Sequence, residues 1–297
     1  MHFGVLLIPN AGWTKLRERA LAAEQLSFET VWIDDHVVSP QRPHQPWLDS
    51  WTSLAALAAS TNRVKLGTLV SNVALRSPVM LARHAATLHQ ISGGRVELGI
   101  GAGYAATDHA AGGTTAWDPT ERLARFDEAA GLVRALLQGG PVTAAGIYYP
   151  VDNVQLVAPD DAAPPPRITV AANDGRSLAV VARHGDAWNS FGGWGLTSEK
   201  LLQVTRDSNR RLDDECVAAG RNPATVHRSL LAGSPAVTPD PIWSSVDALE
   251  DFLGRYNEVG INEMVFYFPP EVMYRDGCDA DVTRQAFSDV LPRWSLQ

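Results

Sequence analysis

Cysteine, lysine and long apolar runs are all scarce in this chain, and each shortage closes off a class of protein. Two cysteines, Cys216 and Cys278, in 297 residues are too few for a disulfide framework or a site of several thiolates, which fits a reducing compartment, the cytoplasm. Only Lys15, Lys65 and Lys200 among the 25 basic residues are lysine, and 33 acidic residues leave a formal net charge of -8. Nucleic-acid binding draws on clustered cations, so nucleic acid is not expected as a partner. No apolar run reaches the ~18 residues of a membrane span, and the start, Met1-His-Phe-Gly-Val, lacks the basic region of a leader. No His-x-His pair occurs, so metal-dependent hydrolysis is not expected and no metal site is assigned. A small molecule, or a second copy of the chain, is left as the partner.

What the chain does have is a repeated strand-then-helix order. Phe3 to Ile8 is a short apolar run closed by Pro9-Asn10, and Thr14 to Leu26 then carries Leu16, Ala20, Ala23 and Leu26 at helical spacing. The order recurs as strand Thr30 to Ile33 with helix Ser50 to Ser60, strand Val64 to Val70 with helix Pro78 to Ile91, and strand Val96 to Ile100 with helix Pro119 to Leu137. Gly139 to Pro166, ending in three prolines, reads as an excursion from the core. Strand Ile168 to Ala172 with helix Ser177 to Arg183, strand Ala187 to Ser190 with helix Ser198 to Ala219, strand Val226 to Leu231 with helix Val246 to Val259, and strand Glu263 to Tyr267 with helix Asp281 to Leu291 complete it. Such units, without hairpin signals between them, specify parallel strands. Eight of them close a (β/α)8 TIM barrel with loop insertions, expected as one domain over residues 1–297.

A doubly wound sheet is the rival fold, and Gly99-Ile-Gly101-Ala-Gly103 tests it. A dinucleotide fingerprint needs a third glycine where Tyr104 stands and a helix starting at once, whereas the next expected helix starts near Pro119. What remains is a glycine-lined strand end that a flat ligand can approach. Active sites of barrels sit at the C-terminal ends of the strands, where Val31-Trp32-Ile33-Asp34-Asp35-His36 places two carboxylates and an imidazole. Two readings stand at this point: a capped turn with His36 bonded to it, or acid–base chemistry. His84, His89, His184 and His227 lie within or beside helices and strands and read as structural.

The motifs taken together are more specific than any one of them. Phe3-Gly4-Val5, Thr30-Val-Trp32-Ile-Asp-Asp35-His36, Arg76-Ser-Pro78 with Leu81-Ala82, Ile91-Ser-Gly-Gly94-Arg95 running to Gly103, Ala182-Arg-His-Gly-Asp186-Ala-Trp188 and Glu258-Val-Gly260-Ile-Asn-Glu263 occur in this order. The set resembles the bacterial luciferase-like superfamily of flavin- and deazaflavin-dependent oxidoreductases. Trp-x-x-Asp-His is similar to the branch that uses the deazaflavin coenzyme F420; the FMN monooxygenases more often carry Glu-His or His-His. The resemblance implies that Asp35 contacts the cofactor ring and that His36 moves a proton. It implies that Thr68, Leu69, Val70 and Ser71 lie against the ring, at a bulge or a non-proline cis peptide, with Gly101, Ala102, Gly103 and Thr107 alongside. Asn173, Gly175, Arg176 and Ser177 are expected to cradle the phosphate with helix-start amides and the Arg176 guanidinium. Asp174 sits awkwardly among them unless it caps the helix.

Several deazaflavin dehydrogenases of the superfamily place a glutamate directly after the glycine pair as a base, and this chain has Tyr104 there. Substrate reduction with His36 as proton donor is therefore easier to support than alcohol oxidation. Trp47, Tyr104 and Trp194, on loops, are the expected substrate contacts, and their aromatic character points to an uncharged organic substrate. The rivals are an FMN-dependent monooxygenase supplied by a separate reductase and a catalytically silent flavin-binding barrel. The resemblance also implies a homodimer.

Overall fold

The computed structural model describes residues 1–156, 164–273 and 278–295. Among the described residues there are ten strands: β1 (His2–Leu7), β2 (Thr30–Ile33), β3 (Lys65–Asn72), β4 (Val96–Gly101), β5 (Val142–Ala144), β6 (Val151–Val154), β7 (Arg167–Ala171), β8 (Ala187–Ser190), β9 (His227–Ala232) and β10 (Glu263–Tyr267). Eight of them close a barrel in the order β1-β10-β9-β8-β7-β4-β3-β2, every pairing parallel. The main helices around it are α1 (Trp13–Gln25), α2 (Ser50–Ala58), α3 (Pro78–Ile91), α5 (Pro119–Leu137), α6 (Leu178–His184), α7 (Ser198–Ala218) and α8 (Val246–Glu258). A short α4 (Ala106–Ala111) sits in the loop after β4, and a last helical run, Ala280–Ser295, passes through a π-turn at Ala286–Val290.

Most of these helices start where a side chain can take up an otherwise unpaired amide. Asp49, Ser77, Asp118, Thr197 and Ser245 accept from Thr52, Met80, Thr120, Lys200 and Ala248 in turn. Each cap contributes about 1 kcal/mol. Along β1, Phe3, Val5 and Leu7 face the helices, whereas Leu6 joins Trp32, Leu69 and Val265 inside the barrel. Trp32 is the largest of these, and two glycines make room for it: a Cβ on Gly67 would lie 2.7 Å from its ring and one on Gly4 3.0 Å from Nε1. This interior layer packs the barrel below the ligand-binding end.

The observed strands and helices lie within a few residues of the expected ones, with three differences. β3 runs on to Asn72 through a register shift between Thr68 and Ser71, where the Leu69–Val70 peptide is cis. The excursion after α5 contains an antiparallel hairpin, β5 with β6. Glu128 ties the loop between these strands to α5 by accepting from the amides of Ile147, Tyr148 and Tyr149. The helix α4 carries no apolar stripe to betray it: its buried residues are Asp108 and His109.

Candidate active site

A cavity of about 420 Å³ opens at the C-terminal ends of the barrel strands. The three residues that follow β2 part company there. Asp34 and His36 line the cavity. Asp35 does not: its carboxylate is 2% exposed and is gripped by both terminal nitrogens of Arg76. The side chain of Asp35, expected against a cofactor, is thus taken up by Arg76 and lies outside the cavity lining.

His36 is held on every side. Nδ1 lies 2.6 Å from Asp108 Oδ2 and Nε2 lies 3.4 Å from Asp34 Oδ1. The rings of Trp47 and Tyr104 stand edge-on to the imidazole at 6.1 and 6.2 Å. Asp108 is fully buried and also accepts from the Val37 amide at 2.9 Å and from Asn72 Nδ2 at 3.2 Å. Burial pushes the Asp108 carboxyl up, but the bond from His36 and its charge, with these two donors, hold it below the usual range. For His36, burial works against the charged ring; the Asp108 bond and the surrounding carboxylates outweigh it and raise its pKa. Asp34 is driven the other way, up to about 6, by burial and by Asp35 and Asp108, against the pull of His36. Neighbouring groups pushed apart in this way are what acid–base chemistry near neutral pH requires.

The glycines after β4 serve this arrangement. Gly103 has φ +73, and a Cβ there would strike Asn72 Oδ1 at 2.0 Å. Asn72 needs that space, since its Oδ1 accepts from Ala74 while its Nδ2 supports Asp108. A Cβ on Gly101 would lie 2.5 Å from Val70 Cγ2. The missing side chains therefore admit the protein's own β3, although Gly101, Ala102 and Gly103 still line the cavity.

The other expected contacts divide. Leu69 and Val70 face the cavity, whereas Thr68 and Ser71 are pinned in the wall. Thr68 Oγ1 bonds Gly99 O at 3.0 Å and Ser71 Oγ at 2.9 Å, and Ser71 accepts from Trp51 Nε1 at 3.1 Å. Asn173, Arg176 and Ser177 line the cavity, together with Asp174 and with Arg122 from α5. Gly175 does not, because the Arg211 guanidinium packs over it. The expected amide cradle is already filled: Asp174 Oδ1 accepts from the amides of Arg176 and Ser177 at 2.9 and 3.0 Å. Cationic attraction for an anion then rests on the Arg176 and Arg122 side chains. Tyr104 and Trp194 line the cavity, while Trp47 reaches it only through His36. Thr107 stays outside the lining, and its hydroxyl is buried without a partner among the described residues.

Asp108, Asn72 and Arg122 were given no role from the sequence, and Asp34 was grouped with Asp35 without a role of its own. One signal was available: on an extended strand, residues 34 and 36 share a face that residue 35 does not.

An eight-stranded parallel barrel with a buried carboxylate–histidine–carboxylate array at its C-terminal mouth defines a class of active-site barrel in which bound ligands meet a titratable wall. The chain belongs to the luciferase-like monooxygenase family, whose model matches residues 1–265. It is 35% identical to an F420-dependent glucose-6-phosphate dehydrogenase of Intrasporangium calvum, over 91% of this chain and 94% of that one. It is 33% identical to an F420-dependent hydroxymycolic acid dehydrogenase of Mycobacterium tuberculosis, over 71% of this chain and 56% of that protein, so it spans little more than half of that relative. The solved coenzyme F420-dependent tetrahydromethanopterin reductase from Methanopyrus kandleri superposes with a TM-score of 0.76 at 17% identity, covering 99% of each chain, which shows the shared fold.

Proposed function

We propose that this protein is an F420-dependent oxidoreductase acting on an uncharged organic molecule. The observation that carries the reading is the single cavity that joins the His36 array to Arg122 and Arg176. The residues suit a ring with an anionic tail: Leu69, Val70, Gly101 and Ala102 give the cavity an apolar wall of small and aliphatic residues, and the two guanidinium groups offer charge to a phosphate. When bound, the deazaflavin supplies or accepts the hydride. The chain's own tasks are orientation and proton transfer. Asp108 accepts from Nδ1, which fixes the tautomer and leaves Nε2 on the Asp34 side, 3.4 Å from Asp34 Oδ1 at the cavity wall. Trp47 and Tyr104 cover the imidazole, limiting its access to water.

The remaining wall contains Leu6, Leu231, Val237, Phe191 and Trp194, with no lysine among the described residues that line it. Among the described residues the lining arginines are Arg122 and Arg176, and both are given to the cofactor in this reading, which favours a substrate other than the glucose 6-phosphate named for the Intrasporangium relative. The acting unit in this reading is one barrel domain in the cytoplasm, paired as a homodimer. The free thiols of Cys216 and Cys278 support the compartment, and the family resemblance supports the pairing.

Titrating the apoprotein with F420 and with FMN tests the cofactor: F420 should bind at least tenfold more tightly, and preferential FMN binding would favour an oxygen-dependent monooxygenase fed by a separate reductase. Oxidation of reduced F420 by neutral carbonyl probes, cyclohexanone and benzaldehyde, tests the chemistry. Tight binding with no turnover of these or related neutral acceptors would point to a silent barrel.

A further inference from the structure

Three carboxylates and two tyrosines stand around His36, and they are not equivalent. Asp35 is closed off by Arg76, and Asp108 is buried with three donors on its oxygens. Tyr104, 60% exposed, and Tyr267 line the cavity, but burial and the charge of Asp34 push both phenols up, away from exchange at neutral pH. Asp34 alone combines a cavity position with an oxygen facing the ring, 3.4 Å from Nε2.

We propose that Asp34 and His36 Nε2 hold one exchangeable proton between them, and that Asp34 is the group through which the site trades that proton with the cavity. This deepens the oxidoreductase reading and rests on it for the chemical step. For a carbonyl probe reduced here, two electrons arrive as hydride from the reduced deazaflavin and form the new C–H bond. The C=O π pair takes the proton from Nε2 to form the O–H bond. Nε2 is refilled from Asp34, which draws its proton from water in the cavity, so one hydride and one proton are consumed per carbonyl. Oxidation of an alcohol runs each transfer backwards.

The array drives this sequence. Asp108 stays bonded to Nδ1 throughout, so the ring can exchange only at Nε2. The positive ring holds the Asp34 carboxyl down against burial. When the ring discharges, that restraint disappears and the affinity of Asp34 for a proton rises. Asp34 is therefore recharged from solvent at the moment the ring needs a proton.

The test uses the full chain labelled with 15N-histidine, without cofactor, titrated by NMR. His36 should show a second inflection near pH 6 from Asp34. In Asp34→Asn that inflection should vanish and the midpoint of His36 should fall by about one pH unit. A wild-type curve without the lower inflection overturns the shared proton even if the variant does not fold, and identical curves in the two proteins do the same. With the carbonyl probe that the wild type turns over, D34N should lower kcat roughly 10²-fold with the KM of the probe unchanged, and D34E should recover part of it. Coupled NMR curves with an undiminished kcat would reduce Asp34 to a structural neighbour and overturn the exchange role. Failure to bind F420 would overturn the functional reading alone, since the titration is read without cofactor.

Discussion

The two mouths of the barrel carry similar charged residues, arranged to opposite ends. At the N-terminal mouth, Glu97, 2% exposed, takes Lys65 at 2.9 Å and Arg167 at 2.5 Å. Glu263 takes Arg167 at 3.4 Å and His227 at 3.1 Å. Burial pushes the Glu263 carboxyl up, but His227 and Arg167 outweigh it and keep it below the usual range. Each carboxylate there has two basic side chains against it. At the C-terminal mouth, Asp35 is closed by Arg76 and Asp108 by His36 with two neutral donors, but Asp34 faces a cavity with the imidazole as its ion-pair partner. Closed pairs stabilise a fold; a carboxylate left part-open is a group that can change its charge during a reaction.

The largest way to break this contrast is at the ring itself. H36A should lower kcat for a carbonyl probe by about 10³-fold while leaving the Kd for F420 within about twofold, by stopped-flow and fluorescence titration. Next comes the opposite mouth: E97Q leaves two cations facing a buried neutral amide, which should cost about 3 kcal/mol of stability in urea unfolding without changing kcat at 15 °C. R176A should weaken F420 binding by about tenfold, the loss of one charged hydrogen bond, with kcat at saturation retained. The smallest effect is in the reverse direction. The Asp34 carboxyl titrates at about 6 in the folded chain against about 4 when unfolded. The fold therefore favours its protonated form, and stability declines as pH rises between those values. Asparagine copies the protonated form. D34N should thus raise Tm by about 2–4 °C at pH 8 and leave it unchanged at pH 4, as scanning calorimetry would show.

The barrel was legible because strands buried on both faces read as short apolar runs, and most of the surrounding helices announce themselves by caps such as Asp118-Pro119. The place of the site followed from the fold, and His36 from its position past β2. The partners of His36 were not legible, because Asp108 arrives from α4, a short helix with no apolar periodicity, 72 residues further along the chain. Nor could the sequence assign Gly101 and Gly103: the same spacing would serve a ligand or, as here, the side chains of Val70 and Asn72. Asp34 was within reach by strand alternation but was overshadowed by the Asp35-His36 motif.

Asp174 has a consequence for how firmly the anionic end can grip. Because its carboxylate already occupies the amides of Arg176 and Ser177, attraction for a phosphate falls to the guanidinium of Arg176, an exposed residue, and to that of Arg122. Charges that face solvent are screened within about 8 Å at physiological ionic strength. Cofactor retention should therefore weaken steeply with added salt, so that the protein exchanges its cofactor with the surrounding pool instead of carrying it as a permanent prosthetic group.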